Sequence, residues 1–207
     1  MRTLVLFALS TVATAAMAVT PHNNNNNNNN NNTQAANTIM ISGASTQTTN
    51  SSGSIISNKA GGDNTARQNI ASNAGPVEIL QRGNSTQTAN LGNTVVNNEA
   101  AGNDALARQN LASNNGAVEI GATSNQTVNA NSVTLGNLAS GSGTKAIQNI
   151  ASNYGHVVVA AASNQTANFS GGGGAYNSAM GSRSLAVQNI SSNDACADDP
   201  CPGGRCN

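Results

Sequence analysis

"ARQNIASN", residues 66–73, returns as "ARQNLASN" at 107–114, "AIQNIASN" at 146–153 and "AVQNISSN" at 186–193. A second motif runs between these copies: "TQTTN" at 46, "TQTAN" at 86, "NQTVN" at 125 and "NQTAN" at 164. Gln68, Gln109, Gln148 and Gln188 are 41, 39 and 40 residues apart; Gln47, Gln87, Gln126 and Gln165 are 40, 39 and 39 apart. A sustained period of this length marks a repeat architecture, in which one supersecondary unit is stacked on the next. The two motifs also resemble each other, each opening on Gln with Asn a few places on. The basic module therefore reads as about 20 residues, long enough for two strands of five or six residues and two turns. The expectation is an all-β protein, a β-solenoid of about eight ~20-residue rungs grouped as four ~40-residue repeats.

The segments between the motifs agree with strands. "VEIL" (77–80), "VEI" (118–120) and "HVVVA" (156–160) hold equivalent places after Gly75, Gly116 and Gly155, and "NTVV" (93–96) matches "SVTL" (132–135). These are short β-branched runs punctuated by Gly and Asn. Ala-rich pieces such as "EAAGNDALA" are broken too often by Gly and Asn to hold a helix.

Within the motif, alternation places Ala66, Gln68, Ile70 and Ser72 on one face and Arg67, Asn69, Ala71 and Asn73 on the other. Across the copies the first face reads Ala, Gln, Ile or Leu, Ser. On the second, Arg67 becomes Arg108, Ile147 and Val187. The face that tolerates least is the candidate interior. A buried amide without a partner costs about 1–3 kcal/mol. Rungs stacked ~4.8 Å apart let each Gln bond the Gln above and below. The predicted interior is thus an amide ladder of Gln47, Gln68, Gln87, Gln109, Gln126, Gln148, Gln165 and Gln188, beside an apolar column of Ile70, Leu111, Ile150 and Ile190.

Composition fits stacking better than a compact core. Charged residues are 8% of the 207, aromatics 2%, Trp is absent and the formal net charge is zero. Few large side chains are available to bury, and a neutral chain lacks the basic surface that nucleic acid requires. Arg2, the apolar run "LVLFALSTVATA" and "AMA" at 16–18 read as a cleaved secretory signal over 1–18, too short to span a membrane. Residues 19–44, with ten consecutive Asn at 23–32, read as a disordered tether. The repeat domain is placed at 45–193. The tail, 194–207, carries Cys196, Cys201 and Cys206, each five apart. Metal sites favour tighter spacing, so these read as a disulfide with one thiol left over; no metal or cofactor is expected.

No enzyme is expected. His22 and His156 have no nucleophile or carboxylate arranged around them, and Glu78 and Glu119 recur as single carboxylates that give way to Val158. Gly171–Gly174, with no Lys-Ser/Thr after them, read as a turn and not a phosphate loop. A monomeric surface binder, an adhesin or ice-binding protein, is the alternative suggested by Thr46/Thr48 and Thr86/Thr88. These pairs lapse to single Thr127 and Thr166, so no flat Thr array is expected. A merely disordered chain is disfavoured by the sharp period.

"VEILQRGNSTQTAN" (77–90) resembles the curlin repeat, and "GNDALARQNLASNNG" (102–116) resembles the Asn/Gln-rich repeats of Fap-type bacterial amyloid fibres. The cysteine tail is also similar to that of Fap subunits, although it is C-x4-C-x4-C and not C-x-x-C. The resemblance covers the repeats and tail and does not choose between the two families. It implies an extracellular amyloid fibre subunit of biofilm matrix, exported unfolded. Its main partner would be itself, with a nucleator and outer-membrane secretion or chaperone proteins, and no small-molecule substrate. Uncapped ends with matching ladders predict a non-closing, heterologous assembly, hence a filament.

Overall fold

A computed structural model describes residues 39–194 apart from 42–43, 63–64, 75–76, 80–83, 117, 121–122, 156 and 160–161. The signal segment, the Asn tract, both histidines and the three cysteines lie outside the described residues. Every regular element among the described residues is a β-strand. The strands form five parallel sheets, each four strands deep; four of the sheets take one strand from each of four coils, and the fifth is made of Ile39–Ile41, Val77–Ile79, Val118–Ile120 and Val157–Val159. The chain is a β-solenoid.

The second coil shows the plan. A long first wall (Asn84–Gly92) is followed by a second (Val95–Ala101), a third (Leu106–Leu111), a two-residue fourth (Asn114–Asn115) and a fifth (Val118–Ile120). In the fifth wall Ile39–Ile41 lies beneath Val77–Ile79, so the stack begins before residue 45. The recurring runs at 77–79, 118–120 and 157–159 pair with one another as the repeat implied.

The winding differs from the expected 20-residue rung. Partners in adjacent strands are about 40 residues apart: Gln47 lies against Gln87, and Gln68 against Gln109. One full turn takes the whole ~40-residue repeat, and the two half-motifs form different walls. A nine-residue strand (Ala44–Ser52) and a six-residue strand (Thr65–Ile70) cannot stack in register on each other.

The corners explain a second difference. Ala71, Ala112, Ala151 and Ser191 take the left-handed conformation, φ 45–51°. The small side chain is tolerated there, and the turn interrupts alternation. Asn73, Asn114 and Asn153 therefore point inward and are buried, although alternation assigns them to the outer face; of the serines it assigns to the inner face, Ser113 and Ser152 are buried and Ser72, in the first coil, is half-buried. At the corner between second and third walls Gly102, Gly141 and Gly181 have φ 139–154°; a Cβ on each would overlap the carbonyl of the glycine one coil below.

The core is narrow and layered. Ala89, Leu91, Val128 and Ala130 from the first wall meet Val96 and Leu135 from the second and Ile70, Leu111 and Ile150 from the third. Nearer the glycine corner the second and third walls converge, and only alanines fit: Ala100 and Ala139 against Ala66, Ala107 and Ala146.

Candidate functional site

The distinctive chemistry of this fold is its stacked side-chain amides. Gln109 Nε2 donates to Gln68 Oε1 at 2.8 Å, Gln148 Nε2 to Gln109 Oε1 at 2.7 Å, and Gln188 Nε2 to Gln148 Oε1 at 2.6 Å. The sequence predicts one ladder of all eight glutamines; in the structure these four stack only on one another. Gln68, Gln109 and Gln148 are buried there beside Ile70, Leu111 and Ile150. In the last coil Gln188 is exposed and Ile190 is 41% exposed, because no strand of the described residues lies above them.

The other four glutamines do not form the expected ladder. Only Gln126 donates to its neighbour, to Gln87 Oε1 at 3.2 Å. Gln47, Gln87 and Gln165 instead reach across the lumen to Asn73, Asn114 and Asn193, at 2.6–2.9 Å. The inward turn of those asparagines supplies nearer acceptors than the next Gln. The asparagines form their own ladder, Asn73 to Asn114 to Asn153 to Asn193, at 2.9–3.0 Å. Gln87 and Gln126 are fully buried; Gln47 and Gln165, in the end coils, are half-buried.

A further amide column was not read from the sequence. Asn58, Asn98, Asn137 and Asn177 form a ladder at 2.7–2.8 Å. Asn98 Nδ2 also donates to the carbonyls of Ala66 and Arg108, and Asn137 Nδ2 to those of Ala107 and Ile147. The column ties the second wall to the third. Its signal was available as an Asn recurring every 39–40 residues outside the two motifs.

The outer face of the third wall is less uniform than the exchange of Arg for Ile suggests. Arg67 is exposed, but Arg108 and Ile147 are buried. Tyr154, fully buried, packs with Ile147 and Leu106. Elsewhere charge is sparse: Lys59 Nζ lies 3.0 Å from a Glu99 oxygen on the outer second wall.

On the outer first wall Thr48, Thr88, Thr127 and Thr166 do stack in one column, although Thr46 and Thr86 are continued by Asn125 and Asn164. A groove of about 980 Å³ runs beside this face, lined by residues that include Asn50, Ser52, Asn90, Gly92, Asn131 and Ser170. Among the described residues no three His, Cys, Asp or Glu side chains come together as metal ligands would.

The two ends of the stack are its other surfaces. Among the described residues Ala44–Ser52, Ile55–Gly61 and Thr65–Ile70 are paired on one side only, as are Ser163–Ser170, Gly174–Met180 and Leu185–Ile190 at the opposite end. No family model matches the chain, nor does any curated protein or solved structure.

Proposed function

We propose that the chain is a secreted structural subunit that polymerises end to end into amyloid-like fibres of an extracellular, biofilm-type matrix. The observation that carries this reading is the pair of stack ends that, among the described residues, are open and mutually complementary. Unpaired strand edges are normally blunted by charge, Pro or a covering element; here the end strands carry rows of amides.

The amide directions favour one orientation. In the Gln68–Gln188 column each Nε2 donates toward the N-terminal coil, and Asn50, Asn90, Asn129 and Asn168 run the same way at 2.8 Å. The Asn58–Asn177 and Asn73–Asn193 columns run oppositely. Head-to-tail addition continues these four columns, whereas bringing like ends of a column together sets donor against donor or acceptor against acceptor.

Side-chain volume points the same way. The column Ser51, Leu91, Ala130, Phe169 ends large at the C-terminal coil and begins small at the N-terminal one. Ile56, Val96, Leu135, Ala175 does the reverse. A following copy would set Ser51 over Phe169 and Ile56 over Ala175.

Purified mature chain should give fibres with diffraction near ~4.8 and ~10 Å and growing thioflavin-T fluorescence. Ser51→Phe, which opposes two rings at the joint, should slow seeded growth while leaving the monomer's circular dichroism unchanged. A chain that stays monomeric by light scattering when concentrated for days would refute the proposal.

A further inference from the structure

Inside a solenoid a polar residue must recur to be satisfied; outside, nothing in the coil demands it. Most outer columns of the long walls drift accordingly. Lys59 is followed by Glu99, Leu138 and Ser178, and Ser57 by Asn97, Gly136 and Tyr176. Two outer columns of the first wall do not drift: Thr48, Thr88, Thr127, Thr166 and Asn50, Asn90, Asn129, Asn168.

The asparagines have an internal reason, their 2.8 Å ladder. The threonines have none. Their side chains are exposed or half-exposed, and their hydroxyls make no hydrogen bond to any described residue. A generic preference for β-branched residues on strands would be met equally by Val or Ile. No charged residue stands among the outward positions of this wall, from Ala44 to Ser52 and in the three strands above it. The next column, Ser52, Gly92, Asn131 and Ser170, lines the groove together with the asparagine column.

We propose that this strip is where a second copy docks laterally, so that two parallel filaments pair ridge into groove. The inference rests on the end-to-end polymer proposed above. A two-fold axis along the filament sets the Thr ridge of each copy opposite the groove of the other, an isologous contact. The absence of charge lets identical faces meet without repulsion, and interdigitation of identical side chains is how paired sheets zip.

The size of the strip sets when it works. Four coils at ~4.8 Å and three columns at about 6.7 Å spacing give roughly 400 Å² per copy, well below the ~800 Å² per partner of a stable interface. Two monomers therefore do not hold together. A stretch of five stacked copies presents about 2,000 Å², and the contact becomes effectively multivalent. Lateral pairing follows elongation and does not precede it.

The test compares full-length wild type with T88K/T127K, which charges the ridge, and with Gly92→Lys, which fills the groove. Electron microscopy reads filament width, and seeded thioflavin-T growth reads elongation. Wild-type filaments should run in pairs, about twice the width of either variant, with elongation rates within about twofold of each other. Variants that pair as often as wild type would overturn the proposal. Wild-type filaments that are single throughout would overturn it while leaving end-to-end growth intact. So would single filaments that sediment with crystalline cellulose or bind ice through Thr88 and Thr127, which would assign the strip to that surface. Absence of any filament would overturn the polymer reading along with this one.

Discussion

Gln109→Ala tests the interior ladder at its most enclosed point. The Gln109 amide is fully buried. Its Nε2 donates to Gln68 Oε1 and, at 3.2 Å, to the Gly136 carbonyl, and its Oε1 accepts from Gln148 Nε2. Truncation strands two buried groups, the Gln68 oxygen and a Gln148 amide hydrogen. At about 1–3 kcal/mol for each buried group left without a partner, the loss is roughly 4 kcal/mol. Arg67 is the proper control because it is exposed; Arg108, the same position one coil on, is buried and would confuse the comparison. Arg67→Ala should cost less than about 0.5 kcal/mol. For a chain of this length 1 kcal/mol moves Tm by about 2–4 °C. The expected shifts are then roughly 8–16 °C for Gln109→Ala and under ~2 °C for Arg67→Ala. Thermal unfolding of freshly prepared monomer, followed by circular dichroism, reads both. Equal shifts for the two variants would refute the reasoning, because stacking would then not depend on the amides.

Gly141→Ala should destabilise by about 3 kcal/mol or more, since its φ of 139° and the Gly102 carbonyl leave no room for a methyl group, whereas Gly92→Ala, whose nearest neighbour would be Ser52 Oγ at 3.7 Å, should be near neutral in the same melt. Asn137→Leu removes donors to Ala107 and Ile147 and should cost about 2–4 kcal/mol, with faster hydrogen exchange localised to the second and third walls. Lys59→Ala breaks an ion pair whose lysine side chain is 65% exposed, and should change the urea midpoint by no more than the equivalent of ~0.5 kcal/mol.

The legible parts of this fold are those in which one residue answers to its own copy. A period of 39–41 gave the parallel stacking, and the invariance of Gln68, Gln109, Gln148 and Gln188 gave the third-wall ladder, because a buried amide one coil away is the only partner guaranteed to recur. The unlit parts are those in which a residue answers to a different wall. Gln87 finds Asn114, and Asn98 finds carbonyls of the third wall. Such partners depend on how the corners fold the chain across the lumen, which a comparison of copies does not contain.

The corners also decide the winding, and the information was present in a form that motif similarity concealed. The two half-motifs share an opening Gln, which invites stacking one upon the other every 20 residues. From Gln68 to the left-handed Ala71 is three residues, however, and from Gln87 to the left-handed Asn93 is six. Strands that turn at different distances from a common Gln cannot share a column without misaligning their corners and leaving three residues of backbone unpaired, at a cost comparable to a lost hydrogen bond for each buried group. Offsets of about 40 residues bring Ala71, Ala112, Ala151 and Ser191 over one another, and likewise Gly53, Asn93, Ser132 and Gly171. Similarity between half-repeats therefore reports shared strand chemistry, whereas identity of the distance from strand to corner reports what stacks on what.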